Sequence, residues 1–519
     1  MFSRRNLIIL SALLLIFIFG FWLRLKNIAG YNLVFDYDQI EDQFYTYALV
    51  VDRHLPIIGR AIYGDPRLHH GIFYYYYNSI PFLLSSGNFL ISVYWNIAFN
   101  AIVVIILFIF AKMVFKRNAP GLVSAAIAAS SFEFIKFSNW LTIDTVAIFL
   151  VPLFFLGLWS YFQNKKWGLI LSFISLGLAI QSDLSFLYLI PIIFIYWIIF
   201  KPKIPSIKLS LFVFSVFTAT TFTLILTEIK LNFAGIKTLL NFSNFPEAVH
   251  LTYIERLNLF LGDFFRNFTN NLLPQKPEFG IFLTGSILLI SLYYLFSRRT
   301  VKQERYGIYF LLLYLFAPVI TLLIGYHDKP WFLIGLPPAI TLIAGYAISK
   351  LNKLYLIIPI IFLIIVNNTN VILQRHNEAY KLFDNIYDST SYLKYQLQVV
   401  DYTYKQSQGQ PFAINAVTYP LYYNGMWAYL YHWYGRQEYR YLPKWLGGDQ
   451  LHPYDLLTKS QGDEKIFYMI ISETPRIPDT YKNQGKLWAA EYGRLIEEKK
   501  FNGFTVLKMN KFFPSKIEK

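Results

Sequence analysis

About eleven apolar runs, most of them close to the length of a membrane span, dominate this chain of 519 residues. A helix needs about 20 apolar residues to cross the hydrocarbon core of a bilayer. By that rule the candidate spans are 7–26, 89–111, 119–135, 143–162, 167–183, 184–200, 207–227, 279–297, 307–326, 330–349 and 353–368. The third, fifth and eleventh are short, and the 184–200 span depends on splitting one long run at Asp183. The N-terminal stretch has the look of a signal peptide. Its apolar part is long and no small-residue cleavage site follows it, so we expect a retained first helix preceded by cytoplasmic Arg4 and Arg5.

The basic residues supply the topology. Lys112, Lys116 and Arg117 follow the second span, Lys165 and Lys166 the fourth, and Lys201, Lys203 and Lys208 the sixth. Arg298, Arg299, Lys302 and Arg305 follow the eighth, and Lys350 and Lys353 the tenth. With Arg4 and Arg5, all of these loops fall on one side if every span is real, and the positive-inside rule makes that side the cytoplasm. One missed span would put the later basic loops outside. This placement accounts for much of the formal charge of +16 and removes the reason to invoke a nucleic-acid partner. Composition agrees: 55% of residues are hydrophobic and 15% charged, against roughly 25% charged in soluble domains. The chain has no cysteine, which excludes disulfides, thiolate metal sites and a cysteine nucleophile.

Three segments then face outward: 27–88, 228–278 and 369–519. We expect a transmembrane domain over 1–368, carrying the first two as external loops, and an extracytoplasmic soluble domain over 369–519. The last segment is domain-sized, polar and rich in tyrosine. A helix is expected at 376–406 and strands at 411–417, 466–472 and 503–509, an α/β or α+β pattern.

The first external segment gathers Asp36, Asp38, Glu41 and Asp42 into seven positions. Carboxylates beside a membrane are costly unless they have a partner or a function. Asp38 and Asp42 are four apart and share a face if 38–52 is helical. Paired carboxylates suit general-base chemistry, one accepting a proton while the other orients or tunes it. Asp38 with Glu41 also fits an N-terminal capping box, which is a purely structural role. Arg53, His54, Arg60, Arg67, His69 and His70 follow. Such cations can hold a phosphate, or contact lipid headgroups, or pair with the same acids. Adjacent histidines rarely share one metal, so no metal site is assigned from them. Tyr74 to Tyr77, Tyr75 among them, suit an interfacial belt or a groove for an isoprenoid chain or sugar. Glu133, Lys136, Asp144 and Asp183 lie near outer helix ends, where polar residues line cavities or rims. His327, Asp328 and Lys329 form a tight external turn that can reach the same vestibule. Nucleotide-binding fingerprints such as Walker A and the Rossmann glycines are absent from the sequence, as are HExxH and GxSxG.

The order of these pieces resembles the GT-C glycosyltransferases, polytopic enzymes that use polyprenyl-phosphate-linked sugars. It is most similar to their bacterial branch related to protein O-mannosyltransferases and the lipid A aminoarabinose transferase. The residues that carry the resemblance are one N-terminal span, Asp38-Gln39 opening the first external loop with Asp42 following, HLPIIG at 54–59, the HGIFYYY stretch from His70 to Tyr76, and GLAIQSDLS at 177–185. It covers about residues 1–350. Asp183 stands where many relatives have histidine, and Arg60 where the family has proline. The resemblance implies a polyprenyl-phosphate-sugar donor, a lipid, glycan or protein acceptor, membrane lipids as surroundings, and transfer of a hexose or pentose on the outer face of the cell membrane. It implies Asp38 as the group that deprotonates or orients the acceptor. Basic residues among Arg53, Arg60, Arg67, His69, His70, His327 and Lys329 would face the leaving phosphate. Some relatives use a divalent ion and others do not.

A transporter or flippase expects polar residues deep in the spans and repeated halves, and neither is evident. A sensor or scaffold leaves the acidic loop without a purpose. A glycan polymerase or ligase shares the same general architecture.

Overall fold

The computed structural model describes residues 4–62, 65–240, 251–324, 330–374 and 388–512. Among them, seven helices are long and apolar enough to cross a membrane: Arg4–Asn27, Phe89–Phe115, Ile143–Phe162, Ile207–Lys230, Pro277–Phe296, Lys302–Leu323 and Leu354–Gln374. Asn118–Ser130 and Phe132–Ser138 form an apolar pair bent by 54°, and Lys166–Ser182, Leu184–Phe200 and Leu336–Ser349 are shorter apolar helices. Each falls on one of the expected spans. The third span is short because the chain bends at Ser131. The long run around Asp183 does divide there: Asp183 is extended between two helices and its carboxylate accepts from the Ser185 N–H at 2.5 Å. The protein is a multi-pass membrane protein with a C-terminal domain built on a β-sheet.

The described residues fall into two compact units. The first comprises those of Met1–Asn27, Pro56–Tyr77 and Val93–Ala379. Its helices pack through small residues, which let backbones approach without a hydrophobic force between spans. A Cβ on Gly20 would lie 2.9 Å from the Ala129 Cα. One turn on, fully buried Arg24 spends its guanidinium on Asn100 Oδ1 at 2.8 Å and on the Gly20 and Ala129 carbonyls at 2.9 and 3.2 Å. A buried charge is tolerable only when its donors are met in this way. In the same unit, strands β1 (Ala61–Ile62) and β2 (Asp65–His69) pair antiparallel, with Ala61 opposite His69.

The second unit comprises the described residues of Ile28–Leu55, Asn78–Ser92 and Tyr380–Lys519. Residues 28–55 of the first external segment are thus joined to the C-terminal domain. Val34 bridges Tyr392, and the Phe35 N–H donates to the Ser391 carbonyl at 2.8 Å. The sheet contains β3 (Phe412–Val417), β4 (Lys444–Trp445), β5 (Ile466–Ser472), β6 (Gly493–Phe501) and β7 (Phe504–Lys511), in the order β4-β3-β5-β7-β6. β3 runs parallel to both β4 and β5; β7 is antiparallel to β5 and β6. β5 is buried on both faces, as its unbroken apolar run requires. Phe467, Met469 and Ile471 form a core with Ala489 of the Asp479–Tyr492 helix. On the other face Tyr468 meets the Ser407 hydroxyl of the Leu393–Ser407 helix at 3.2 Å. That helix overlaps the expected 376–406 helix and ends one residue beyond it; residues 376–387 fall outside the described part.

Candidate functional site

In the second unit the carboxylates of the first external segment ride on the Tyr37–Val50 helix. Two overlapping capping boxes compete for its start, and tertiary structure chooses between them. The bridge from Val34 to Tyr392 keeps the chain extended up to Asp36, whose φ of −125° and ψ of −171° are those of an N-cap. Gln39 Oε1 returns to the Asp36 N–H at 2.8 Å, completing a box two residues earlier than the sequence pairing of Asp38 with Glu41 suggests. The Asp36 carboxylate also accepts from the Ser391 hydroxyl at 2.7 Å and from Arg476 Nη2 at 3.1 Å. Asp36 is therefore the structural acid, and the capping role considered for Asp38 is corrected.

Asp38 sits half-buried in the first turn, where the helix dipole favours a negative charge. Asp42, one turn further, is fully buried. Glu41, buried between them in sequence, accepts from the Tyr423 hydroxyl at 2.8 Å and the Tyr454 hydroxyl at 3.1 Å. Burial, and then the Glu41 charge, push the Tyr423 and Tyr454 phenols up, so both stay protonated donors. Three acids on one helix thus occupy three different surroundings. Arg53 follows the helix, exposed and at a φ of 55°.

In the first unit, the cations of 56–77 divide by their partners. Arg67 forks onto Asp65, with Nη2–Oδ2 at 2.5 Å and Nε–Oδ1 at 2.9 Å, and that fork holds the Asp65 carboxyl down at about 2. Both ring nitrogens of His69 face carbonyl oxygens, those of Gly59 at 2.8 Å and Pro66 at 3.0 Å. The partly buried Arg60 donates its backbone N–H to the Tyr75 hydroxyl at 3.1 Å. Tyr74, Tyr75 and Tyr77 are buried, and Tyr77 packs among Trp95, Phe99 and Phe149; of the four tyrosines only Tyr76 is exposed. His327 and Lys329 lie outside the described residues.

His70 departs from its neighbour. It is buried, its Nδ1 lies 3.2 Å from the Ser182 carbonyl oxygen, and it joins Asp144 and Asp183 in a buried trio. One ligand atom from each lies within 4.8 Å of the other two. The backbone explains how residues more than a hundred positions apart meet. The Gly71 N–H donates to the Gln181 carbonyl at 2.9 Å, and the Ile72 N–H to Gln181 Oε1 at 2.9 Å. A Cβ on Gly71 would collide with Gln181 Oε1 and come within 2.6 Å of its carbonyl oxygen. Glycine is required because two backbone segments of the chain touch there. We expect Gly71→Ala to destabilise the protein by about 1–3 kcal/mol, the usual cost of overpacking. A thermal-unfolding series in detergent would show it; an unchanged transition would mean the two segments part easily.

Two carboxylates and one imidazole make an oxygen-rich donor set that suits Zn²⁺, Mn²⁺ or Mg²⁺. At bond lengths of about 2.1 Å, ligand atoms around one ion stand roughly 3–4 Å apart, against the 4.8 Å that bounds the trio. His69 and His70 turn to different partners, and the His70 imidazole meets carboxylates from two other segments of the chain. Asp144 and Asp183 were legible as polar breaks near helix ends, but nothing in their spacing linked them to His70.

No protein-family model matches the chain, and no curated protein matches it in sequence. Among solved structures it is similar to ArnT from Cupriavidus metallidurans, a lipid A aminoarabinose transferase, in the apo state. That match has a TM-score of 0.61 at 9% identity and covers 98% of both chains. The same enzyme bound to undecaprenyl phosphate matches with a TM-score of 0.57 at 9% identity, over 97% of each chain. The likeness is one of fold and runs almost the full length of both proteins: the chain has the fold of the GT-C glycosyltransferases.

Proposed function

We propose that the protein is a membrane glycosyltransferase that moves a hexose or pentose from a polyprenyl-phosphate donor to an acceptor hydroxyl on the extracytoplasmic face. The observation that carries this reading is the fold shared with ArnT over 98% of the chain, together with Asp38 in the first turn of a helix in the first external segment. A solved relative of the same fold binds undecaprenyl phosphate, which supports a polyprenyl donor here. The N-terminus is cytoplasmic and the C-terminal domain extracytoplasmic, in line with the alternating basic loops.

In this mechanism the Asp38 carboxylate accepts the proton of the acceptor hydroxyl. The oxygen attacks the anomeric carbon, the carbon–phosphate oxygen bond breaks, and polyprenyl phosphate leaves with the electron pair. The donor is already activated, so no nucleotide is needed. Arg67 and His69 are committed to Asp65 and to backbone carbonyls, which turns the search for a phosphate ligand first to the exposed Arg53. His70, Asp144 and Asp183 would hold a divalent cation, which would supply Lewis-acid charge stabilisation when bound. The reading is tested by incubating the purified protein with synthetic polyprenyl-phosphate sugars and with the matching nucleotide sugars. We expect free polyprenyl phosphate to appear and the nucleotide sugars to remain intact. Consumption of the nucleotide sugars instead would overturn the donor assignment.

A further inference from the structure

The C-terminal domain holds a cavity of about 640 Å³ within the second unit, a volume typical of small-ligand sites. It opens at the carboxyl ends of β3 and β4. β3 is flanked by β4 on one side and β5 on the other, both parallel to it. The chain leaves β3 toward one neighbour and returns to the other, and such a switch point is where open α/β sheets bind ligands.

The lining decides the ligand class. Trp445, Trp488, Tyr422 and Tyr481 supply aromatic surface, and Asn415 and Gln484 supply amides. The charged groups cancel: Lys459 Nζ lies 2.8 Å from Asp449 Oδ1, and that pairing holds the Asp449 carboxyl below its usual range. Aromatic faces present flat apolar area to C–H surfaces, and amides donate to and accept from hydroxyls. A neutral molecule with apolar faces and a hydroxyl rim fits this lining; an anion or a purely aliphatic ligand does not. We propose that the cavity binds a short neutral oligosaccharide.

The cavity is wired to the helix that bears Asp38. Tyr423 lines it, donates to Glu41 at 2.8 Å, and packs edge-on against Tyr37 with ring centroids 5.4 Å apart. Glu41 and Tyr37 sit on the same helix as Asp38. Sugar seated in the cavity therefore bears on the tyrosine that positions that helix. Resting on the glycosyltransferase reading, the proposal makes the acceptor a glycan whose inner units are gripped by the soluble domain.

The test is equilibrium binding of fluorescent neutral trisaccharides of glucose, mannose, galactose and N-acetylglucosamine to the full-length protein in nanodiscs. The variant is the pair Tyr422→Ala and Gln484→Ala, both exposed, with Tyr422 82% exposed, so the fold is preserved. We expect saturable binding of at least one trisaccharide and a loss of about tenfold or more in the variant. No saturable binding by a protein that still releases polyprenyl phosphate from its donor overturns the cavity assignment alone. Binding unchanged in the variant also overturns it, as does preferential capture of a neutral acetylated tripeptide. Binding lost in the variant, by a protein that uses no lipid donor, keeps the site and removes the transferase reading.

Discussion

Asp38→Asn is expected to lower glycosyl transfer by about 10²–10⁴-fold, the usual cost of removing a general base, while leaving the protein folded. The amide cannot take the acceptor's proton. The fold should tolerate the change because Asp36, not Asp38, caps the helix and is fixed by Gln39, Ser391 and Arg476. The charge of Asp38 near the helix N-terminus contributes roughly 0.3–1 kcal/mol. Asp42→Asn separates the pair, since Asp42 is fully buried one turn away: a milder defect marks it as the orienting partner, and a full loss makes it the rival base. The measurement is transfer by purified variants with matched unfolding transitions. Wild-type rates for Asp38→Asn would remove Asp38 from the mechanism.

The second large effect concerns the buried trio. Purified protein should carry about one equivalent of a divalent metal, measured by mass spectrometry after dialysis against a weak chelator. His70→Ala and Asp183→Asn should each weaken metal retention by at least about 10–100-fold, a loss seen even when an outer-shell partner is removed. Asp183→His should retain the metal, because imidazole replaces a carboxylate donor. The position where the sequence departs from the pattern it resembles thereby becomes the discriminating variant. Metal content equal in wild type and His70→Ala would show that the trio is a polar core and nothing more.

The spans were legible because a membrane leaves a simple record: long apolar runs broken by basic loops. Strands β3, β5 and β7 were legible for the same reason, since PFAINAV, IFYMIIS and GFTVLKM are apolar runs, the last two almost wholly buried. β6 was not, because GRLIEEKKF is a charged edge strand with most of its side chains exposed, and charge on an edge is a defence against aggregation that conceals strand character. The two-residue β4 is too short to leave a pattern. The capping box lies two residues earlier than Asp38 because Asp36 with Gln39 and Asp38 with Glu41 are both valid boxes; the bridge to Tyr392, hundreds of residues away, decides between them. In the tyrosine run Tyr74, Tyr75 and Tyr77 are buried and Tyr76 is exposed, a division that the run of four identical residues does not disclose. The link from His70 to Asp183 runs through backbone hydrogen bonds to Gln181, which no local rule anticipates.

The most direct test of the central claim uses proteoliposomes carrying a polyprenyl-phosphate sugar labelled in the sugar and placed in one leaflet, with an acceptor glycan outside. A glycosyltransferase moves the label onto the glycan and frees polyprenyl phosphate in equal amount, and Asp38→Asn does neither. Label that stays on its lipid and appears in the opposite leaflet would contradict the account and make the protein a transporter of the lipid-linked sugar.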